Sequence, residues 1–396
     1  MTRPDVRPDH RLNIVADAHI WGVEEAFSSL PDCEVSLRTM EAADITREAL
    51  QHADILITRS ATRVNADLLA GTPVRFAATA TIGDDHYDKQ WLTGQGIDFA
   101  NAAGSSTGSV IEYMLTALLE LHVRGLITLP ELTLGIIGAG RIGGALSDIC
   151  DRLGIRTLMN DPPRARKEGE TGFSELDHLL AGADVLTLHT PLHRSGKDQT
   201  LHLLNAERLA RFHGRGIINA ARGACLDNVA LIDWLNADEC RFAVLDCWEN
   251  EPAVSAELLG HPQLALATPH IAGHSLDGKA ANTLFARTAL CRWLGVSQEW
   301  HMENRLPADP NPINISCTSD TWRNLHAAAT CMYQIANDDA ELRSMARSTQ
   351  DDIALTFTSL RRNYPIRRGW EHIPVHFLHP DPQTTRLARA MGMQVI

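Results

Sequence analysis

Apolar and polar positions follow two schedules along this chain. Short apolar runs at Leu12–Ala16, Ile55–Thr58, Arg75–Ala80 and Ile97–Ala100 predict strands, and helical spacing at Glu24–Leu30 and Ala66–Leu69 predicts helices between them. That alternation predicts a small parallel sheet. From Ser109 to Val123 the chain is apolar nearly all round, which predicts a long buried helix joining two domains. Six apolar runs follow at regular spacing: Leu134–Ile137, Thr157–Asn160, Val185–His189, Gly216–Asn219, Phe242–Leu245 and Leu264–Ala267. Helical patterns such as Ile142–Arg152 and Asn228–Leu235 lie between most of them. Repetition of this length predicts a doubly wound parallel sheet with helices on both faces. A helix is expected from about Lys279 to about Leu294. Pro307, Pro310 and Pro312 then mark a linker, and the charged runs Asn337–Arg343 and Arg361–Arg368 belong to a smaller third domain of mixed α and β pattern.

Composition narrows the partners. The chain has 396 residues, too many for one core of ordinary size, with 44% hydrophobic and 21% charged residues. A net charge of -13 argues against nucleic acid or an anionic membrane surface as the main partner. No apolar run approaches the roughly 20 residues of a membrane span. The eight cysteines show no C-x-x-C pair and no zinc spacing with histidine, so no metal is expected and a reducing cytoplasm suits them. The polar start MTRPDVRPDHR lacks the apolar stretch of a signal peptide.

The chemistry is concentrated where strands should end. Gly138-Ala139-Gly140-Arg141-Ile142-Gly143 follows an apolar run and opens a helical pattern. In that context the first glycine permits a tight turn, the second lets backbone amides approach a pyrophosphate, and the third lets helix and strand pack closely. The helix N-terminus then favours the phosphate. Asp161 ends the next strand, where a carboxylate accepts from ribose hydroxyls and repels a 2′-phosphate, so NAD is expected over NADP; Arg164 nearby works weakly against this. Ligands of open parallel sheets bind at the carboxyl ends of strands, which here carry Gly138, Asp161, Thr190-Pro191, Ala221-Arg222, Asp246 and Pro269-His270. Arg222 can grip a carboxylate with two prongs. His270 has the intrinsic basicity to take a hydroxyl proton near neutrality, and Glu251 could hold its other nitrogen. The trio suits hydride transfer from a 2-hydroxy acid.

These residues resemble a known family. The Gly138–Gly143 loop with Asp161, then Ala221-Arg222-Gly223, Leu245-Asp246-Cys247-Trp248-Glu249-Asn250-Glu251-Pro252 and Thr268-Pro269-His270-Ile271-Ala272-Gly273, are similar to the D-isomer-specific 2-hydroxyacid dehydrogenases. The resemblance implies that Arg222 binds substrate, Glu251 orients His270 and His270 is the acid/base. Thr58–Asn65, Thr79–His86 and Gly273–Lys279, with Asp338–Arg343 and Leu360–Tyr364 near the C-terminus, resemble a branch acting on a small phosphorylated 2-hydroxy acid. That likeness implies substrate contacts at Ser60 and Thr81. It also implies NAD contacts at Asp161, Thr190, Ala220, Ala221, Arg222, Asp246 and Gly273, beside those of Gly138, Gly140, Arg141, Ile142 and Gly143. Arg59 suits the phosphate electrostatically, as could Arg63. The implied domains are a flavodoxin-like substrate-binding domain at 1–108 completed by about 285–305, an NAD-binding Rossmann domain at 109–284, and an α+β dimerisation domain at 306–396, in a homodimer.

Two positions depart from the family pattern. Its Pro-Gly-x-Asn segment reads Ala103-Gly104-Ser105-Ser106 here, and the expected tyrosine after His-Ile-Ala-Gly is His274, which could still donate to a substrate oxygen. They leave open a dehydrogenase of the 3-phosphoglycerate or glyoxylate/hydroxypyruvate type. A non-catalytic NAD sensor is the remaining alternative. The cluster Arg361, Arg362, Arg367 and Arg368 reads as a solvated or subunit-contact face, or as a source of one arginine for a partner subunit's site.

Overall fold

The computed structural model describes residues 11–396. The N-terminal segment on which the expectation of no export signal rests lies almost wholly outside the described residues. The chain forms two compact units, one running through Ser106 and including Leu276–Ala308, the other Thr107–Ser275 with Asp309–Ile396. Among the described residues no helix is long and apolar enough to cross a membrane.

The first unit is a five-stranded sheet of β1 (Leu12–Asp17), β2 (Val35–Met40), β3 (Ile55–Thr58), β4 (Phe76–Thr79) and β5 (Asp98–Asn101), in the order β2-β1-β3-β4-β5. All pairings are parallel, the flavodoxin-like arrangement. β3 and β4 are buried at every position, whereas β2 is nowhere fully buried. This edge strand has no counterpart in the hydrophobic pattern, because Val35, Leu37 and Met40 share it with Ser36, Arg38 and Thr39. The helix Leu276–Leu294 starts earlier than the expected Lys279, and its Ala286, Leu290 and Cys291 share a core with Phe76 and Ala78. The chain therefore re-enters this unit at Leu276, ahead of the expected 285.

The second unit holds β6 (Thr133–Ile137), β7 (Arg156–Asn160), β8 (Val185–Leu188), β9 (Gly216–Asn219), β10 (Phe242–Leu245) and β11 (Leu264–Ala267). They form one parallel sheet in the order β11-β10-β9-β8-β6-β7. β8 to β11 are buried at every position, which explains why all but Thr187 and Asn219 of their residues are apolar or glycine. Strand order reverses at β6, which has β7 on one side and β8 on the other. The crevice for a ligand opens at the carboxyl ends of such a pair.

The remaining residues form helices and a small parallel sheet of β12 (Ile313–Ser316), β13 (Pro374–Leu378) and β14 (Gln394–Val395). This segment belongs to the same compact unit as the large sheet, and its side chains show why. Leu342, Ile353 and Phe357 are fully buried in one core with Leu245 and Leu264, and Leu325, Ala328 and Trp370 share another with Tyr113 and Leu118. Burying each such side chain stabilises the contact by roughly 1.5–3 kcal/mol. Tyr113 and Leu118 lie on the long helix Thr107–Val123, buried nearly all round as its sequence predicts. Arg367 and Arg368 correct the reading of a solvated basic face, since they are only 6% and 8% exposed.

Candidate active site

The glycine loop lies at the switch point. Gly138 has φ +91°, and a Cβ there would meet the His189 carbonyl at 2.8 Å, so no other residue fits between β6 and β8. A Cβ on Gly143 would run into the Gly138 carbonyl, so that glycine lets the helix Arg141–Leu153 press onto the loop. Gly140 caps the same helix and faces open space. Arg141 is exposed and Ile142 partly buried at the first turn. The first amides of a helix have no partner within it, and a Cβ on Gly140 would meet nothing within 4 Å among the described residues, which fits a dinucleotide's pyrophosphate. A cavity of about 410 Å³ adjoins the loop, lined by Gly138, Gly140, Asp161, His189, Thr190 and Arg166 among others.

Asp161 accepts from Ala139 N–H and from Arg164 N–H, both at 3.0 Å, so the carboxylate expected at the ribose also fixes the glycine loop. The Arg164 guanidinium donates to Glu168 at 2.7 and 3.0 Å and to the Ala139 carbonyl. Its charge is thus already matched. This weakens the one argument against NAD that the sequence offers.

Arg222, Glu251 and His270 follow three neighbouring strands, β9, β10 and β11. His270 Nδ1 and Glu251 Oε1 are 2.6 Å apart. The second carboxylate oxygen accepts from Trp248 N–H at 3.2 Å. Burial works to raise the Glu251 carboxyl, but the His270 charge and hydrogen bond, aided by Arg361 and Trp248 N–H, hold it below its usual value. Glu251 therefore stays ionised, able to orient the imidazole and stabilise imidazolium as it forms. His270 itself has φ +55°, a conformation rare for a residue with a Cβ.

Buried residues around the trio hold these loops. Asn219, fully buried at the end of β9, accepts from Ala221 N–H and donates to the Arg222 carbonyl, each at 3.1 Å. Arg222 Nη1 donates to the Ala221 carbonyl at 2.7 Å. A Cβ on Gly223 would collide with the Trp248 carbonyl, so only glycine lets the Arg222 loop lie against the Glu251 loop. Ala220 and Ala221 are buried and have only backbone to offer a ligand. Trp248 Nε1 donates to the Thr268 carbonyl at 2.9 Å, joining the loops after β10 and β11.

Asp246, expected among the NAD contacts, is 1% exposed and spends both oxygens on the His270 loop. It accepts from Ile271 N–H at 2.7 Å, Thr268 Oγ1 at 2.8 Å and Ala272 N–H at 3.1 Å. Burial raises its carboxyl above the usual range, with the nearby His270 charge and these hydrogen bonds opposing. Gly273 is partly exposed, and the His274 ring meets the edge of Tyr364 at 5.9 Å. The sequence assigns no role to Asn219, Trp248 or Thr268. Asn219 had one available signal, an amide side chain closing an otherwise apolar strand.

In the first unit, register pairs Thr58 of β3 with Thr79 of β4, so Ser60 and Thr81 follow adjacent strand ends. Thr81 Oγ1 donates to the Gly83 carbonyl at 2.9 Å and is 2.7 Å from Thr79 Oγ1, which is 3.2 Å from His86 Nε2. Ser60 and Arg63 are exposed, Arg59 partly so. Ser106 is buried, while Ser105 Oγ donates to the Ala102 carbonyl at 2.6 Å and pairs with Asn282.

The chain is similar to known proteins in both sequence and fold. Residues 120–272 match the NAD-binding domain of D-isomer-specific 2-hydroxyacid dehydrogenases, and residues 306–392 match a domain of unknown function (DUF3410). An erythronate-4-phosphate dehydrogenase of Pseudomonas fluorescens is 39% identical, over 96% of this chain and 98% of that protein. One from Salmonella arizonae is 38% identical over 97% and 99%. In fold, the chain is similar to D-lactate dehydrogenase of Aquifex aeolicus complexed with NAD and lactic acid, with TM-score 0.59 and 22% identity over 72% of this chain and 95% of that one. NAD-bound 3-phosphoglycerate dehydrogenase of Entamoeba histolytica gives 0.60 and 20% over 72% and 96%. The chain is an NAD-dependent oxidoreductase, and it belongs to the erythronate-4-phosphate dehydrogenases within the D-isomer-specific 2-hydroxyacid dehydrogenase family.

Proposed function

We propose that this protein oxidises 4-phospho-D-erythronate at C2 to 2-oxo-3-hydroxy-4-phosphobutanoate, a step of pyridoxal 5′-phosphate (vitamin B6) biosynthesis, as a cytoplasmic homodimer. The observation that carries the mechanism is the 2.6 Å pair of His270 and Glu251 in loops adjoining that of Arg222. Full-length similarity to erythronate-4-phosphate dehydrogenases carries the substrate.

Arg222 binds the C1 carboxylate and polarises the carbon beside it. His270 accepts the C2 hydroxyl proton at Nε2, the nitrogen not engaged by Glu251. Glu251 stabilises the resulting imidazolium. NAD, when bound, accepts the C2 hydride. The glycine loop and Asp161 hold its pyrophosphate and ribose. Ser60, Thr81, Arg59 and His274 contact the rest of the substrate.

The test is NADH formation from 4-phospho-D-erythronate beside D-3-phosphoglycerate and D-glycerate, with an acceptor present to re-oxidise tightly held cofactor. Turnover of the first acid alone, abolished in His270→Ala, is the expected result. Turnover of another acid alone would keep the mechanism and move the substrate, directing attention to Ser106 and His274. NAD binding without turnover of any of them would overturn the enzyme reading.

A further inference from the structure

β11 is the outer strand of the large sheet, and the catalytic turn springs from its end. An outer strand leaves backbone groups to be satisfied from elsewhere. Here the C-terminal segment supplies the partners. Asp339 Oδ1, on the helix Ile335–Arg343, accepts from Ala267 N–H at 2.7 Å. Arg343, at the end of that helix, donates to the Leu264 carbonyl at 2.6 Å and to Asp339 Oδ1 at 2.7 Å.

Beyond the strand, Asp246 takes the N–H groups of Ile271 and Ala272. The Ala272 carbonyl receives Arg367 Nη2 at 2.9 Å. His270 thus sits, at φ +55°, between two backbone anchors from the C-terminal segment, Asp339 before it and Arg367 after it.

Arg367 is a costly residue to place there. Its guanidinium lies 4.2 Å from the Tyr333 ring centre and 6.0 Å from that of Tyr364. Nε and Nη1 are buried without a hydrogen-bond partner. Burial works against its charge, while Tyr333, Tyr364, Glu112 and Asp338 favour it from nearby. Buried donors without partners are destabilising, and an apolar side chain of similar length would fill the same space without that cost. What the guanidinium adds is the bond to the carbonyl two residues after His270.

We propose that the C-terminal segment, which matches a domain of unknown function (DUF3410), clamps the catalytic turn of its own chain, with Arg367 as the positioning residue. The inference rests on the reading of His270 as acid/base. Without the clamp the turn relaxes toward ordinary backbone angles, and the imidazole leaves its place over the hydroxyl proton.

The test uses the full chain with Arg367→Met, which keeps an unbranched stem, and Arg367→Lys, which keeps the charge between the rings. Arg386→Ala, at an exposed position of the same segment, is the control. Two readouts run together: steady-state kinetics per NAD-binding site, and amide hydrogen exchange of residues 264–275. The expected result for Arg367→Met is a kcat loss of about 10- to 100-fold, with KM for the acid and Kd for NAD within about twofold, and faster exchange at Ile271 and Ala272. Arg367→Lys falls between it and wild type, and carries both readouts if Arg367→Met does not fold. Unchanged exchange at the turn, or a kcat per folded site equal to wild type, would overturn the clamp. If the wild-type protein turns over no 2-hydroxy acid, exchange still decides the clamp, so failure of the functional reading is told apart from failure of this one.

Discussion

The loops of the two units are built differently. In the second unit the catalytic loops are anchored by buried side chains: Asn219 holds the Arg222 loop, Trp248 joins the loops after β10 and β11, and Asp246 gathers the backbone after His270. In the first unit Ser60 and Arg63 stand in solvent, and Thr81 is held through a chain of hydroxyls to His86. Proton and hydride transfer tolerate little displacement, so their groups are pre-placed by structure that costs nothing further when substrate arrives. Recognition of a phosphorylated tail can be left to side chains that order on binding.

Substitutions can break or sharpen that contrast. His270→Ala removes the base from an otherwise intact loop, and kcat should fall by about 10²–10⁴ while NAD still binds, as titration of tryptophan fluorescence would show. Arg222→Gln removes a charged grip on the carboxylate, and kcat/KM should fall by about 10² from loss of roughly 1.5–3 kcal/mol. Gly138→Ala puts a Cβ against the His189 carbonyl at φ +91°, so Kd for NAD by calorimetry should rise by at least about tenfold. Thr81→Val, in the other unit, loses one neutral hydrogen bond, so KM for the phosphorylated acid should rise about 2- to 10-fold at constant Kd for NAD. A change in kcat as large as that of His270→Ala would erase the distinction between the two regions.

The smallest effect concerns stability. The His326 hydrogen bond, with Arg124, draws the Glu120 carboxyl down to about 2 against an ordinary 4.5, although burial opposes it. A lowered folded value means the stabilisation is present above pH 4.5 and is lost as pH falls from there toward about 2. Glu120 is partly open to solvent, so Glu120→Gln should cost about 1 kcal/mol at neutral pH, read as a lower Tm, and the difference from wild type should vanish in acid.

Much of this was legible in the sequence, because burial on both faces writes a strand as a mostly apolar run. Ile55–Thr58, Gly216–Asn219, Phe242–Leu245 and Leu264–Ala267 have the limits their composition predicts. The glycine loop was legible because each glycine answers a steric demand local to the chain. β2 was not, since a half-exposed edge strand mixes polar and apolar side chains without strict alternation. Arg367 was misread for a different reason. Its burial depends on Tyr333 and Tyr364 and on the Ala272 carbonyl, and spacing along a charged run says nothing of aromatic partners elsewhere. Asp246 stands at a strand end, and the sequence does not show the hydrogen bonds by which it also anchors the backbone after His270.

The central claim is that C2 loses a hydride to NAD while His270 takes the hydroxyl proton. It is tested most directly with 4-phospho-D-erythronate carrying deuterium at C2, by following the label in the reduced nicotinamide by mass spectrometry. The account predicts that deuterium passes to the nicotinamide with the wild-type protein and not with His270→Ala. Deuterium released to water, with unlabelled nicotinamide, would contradict it.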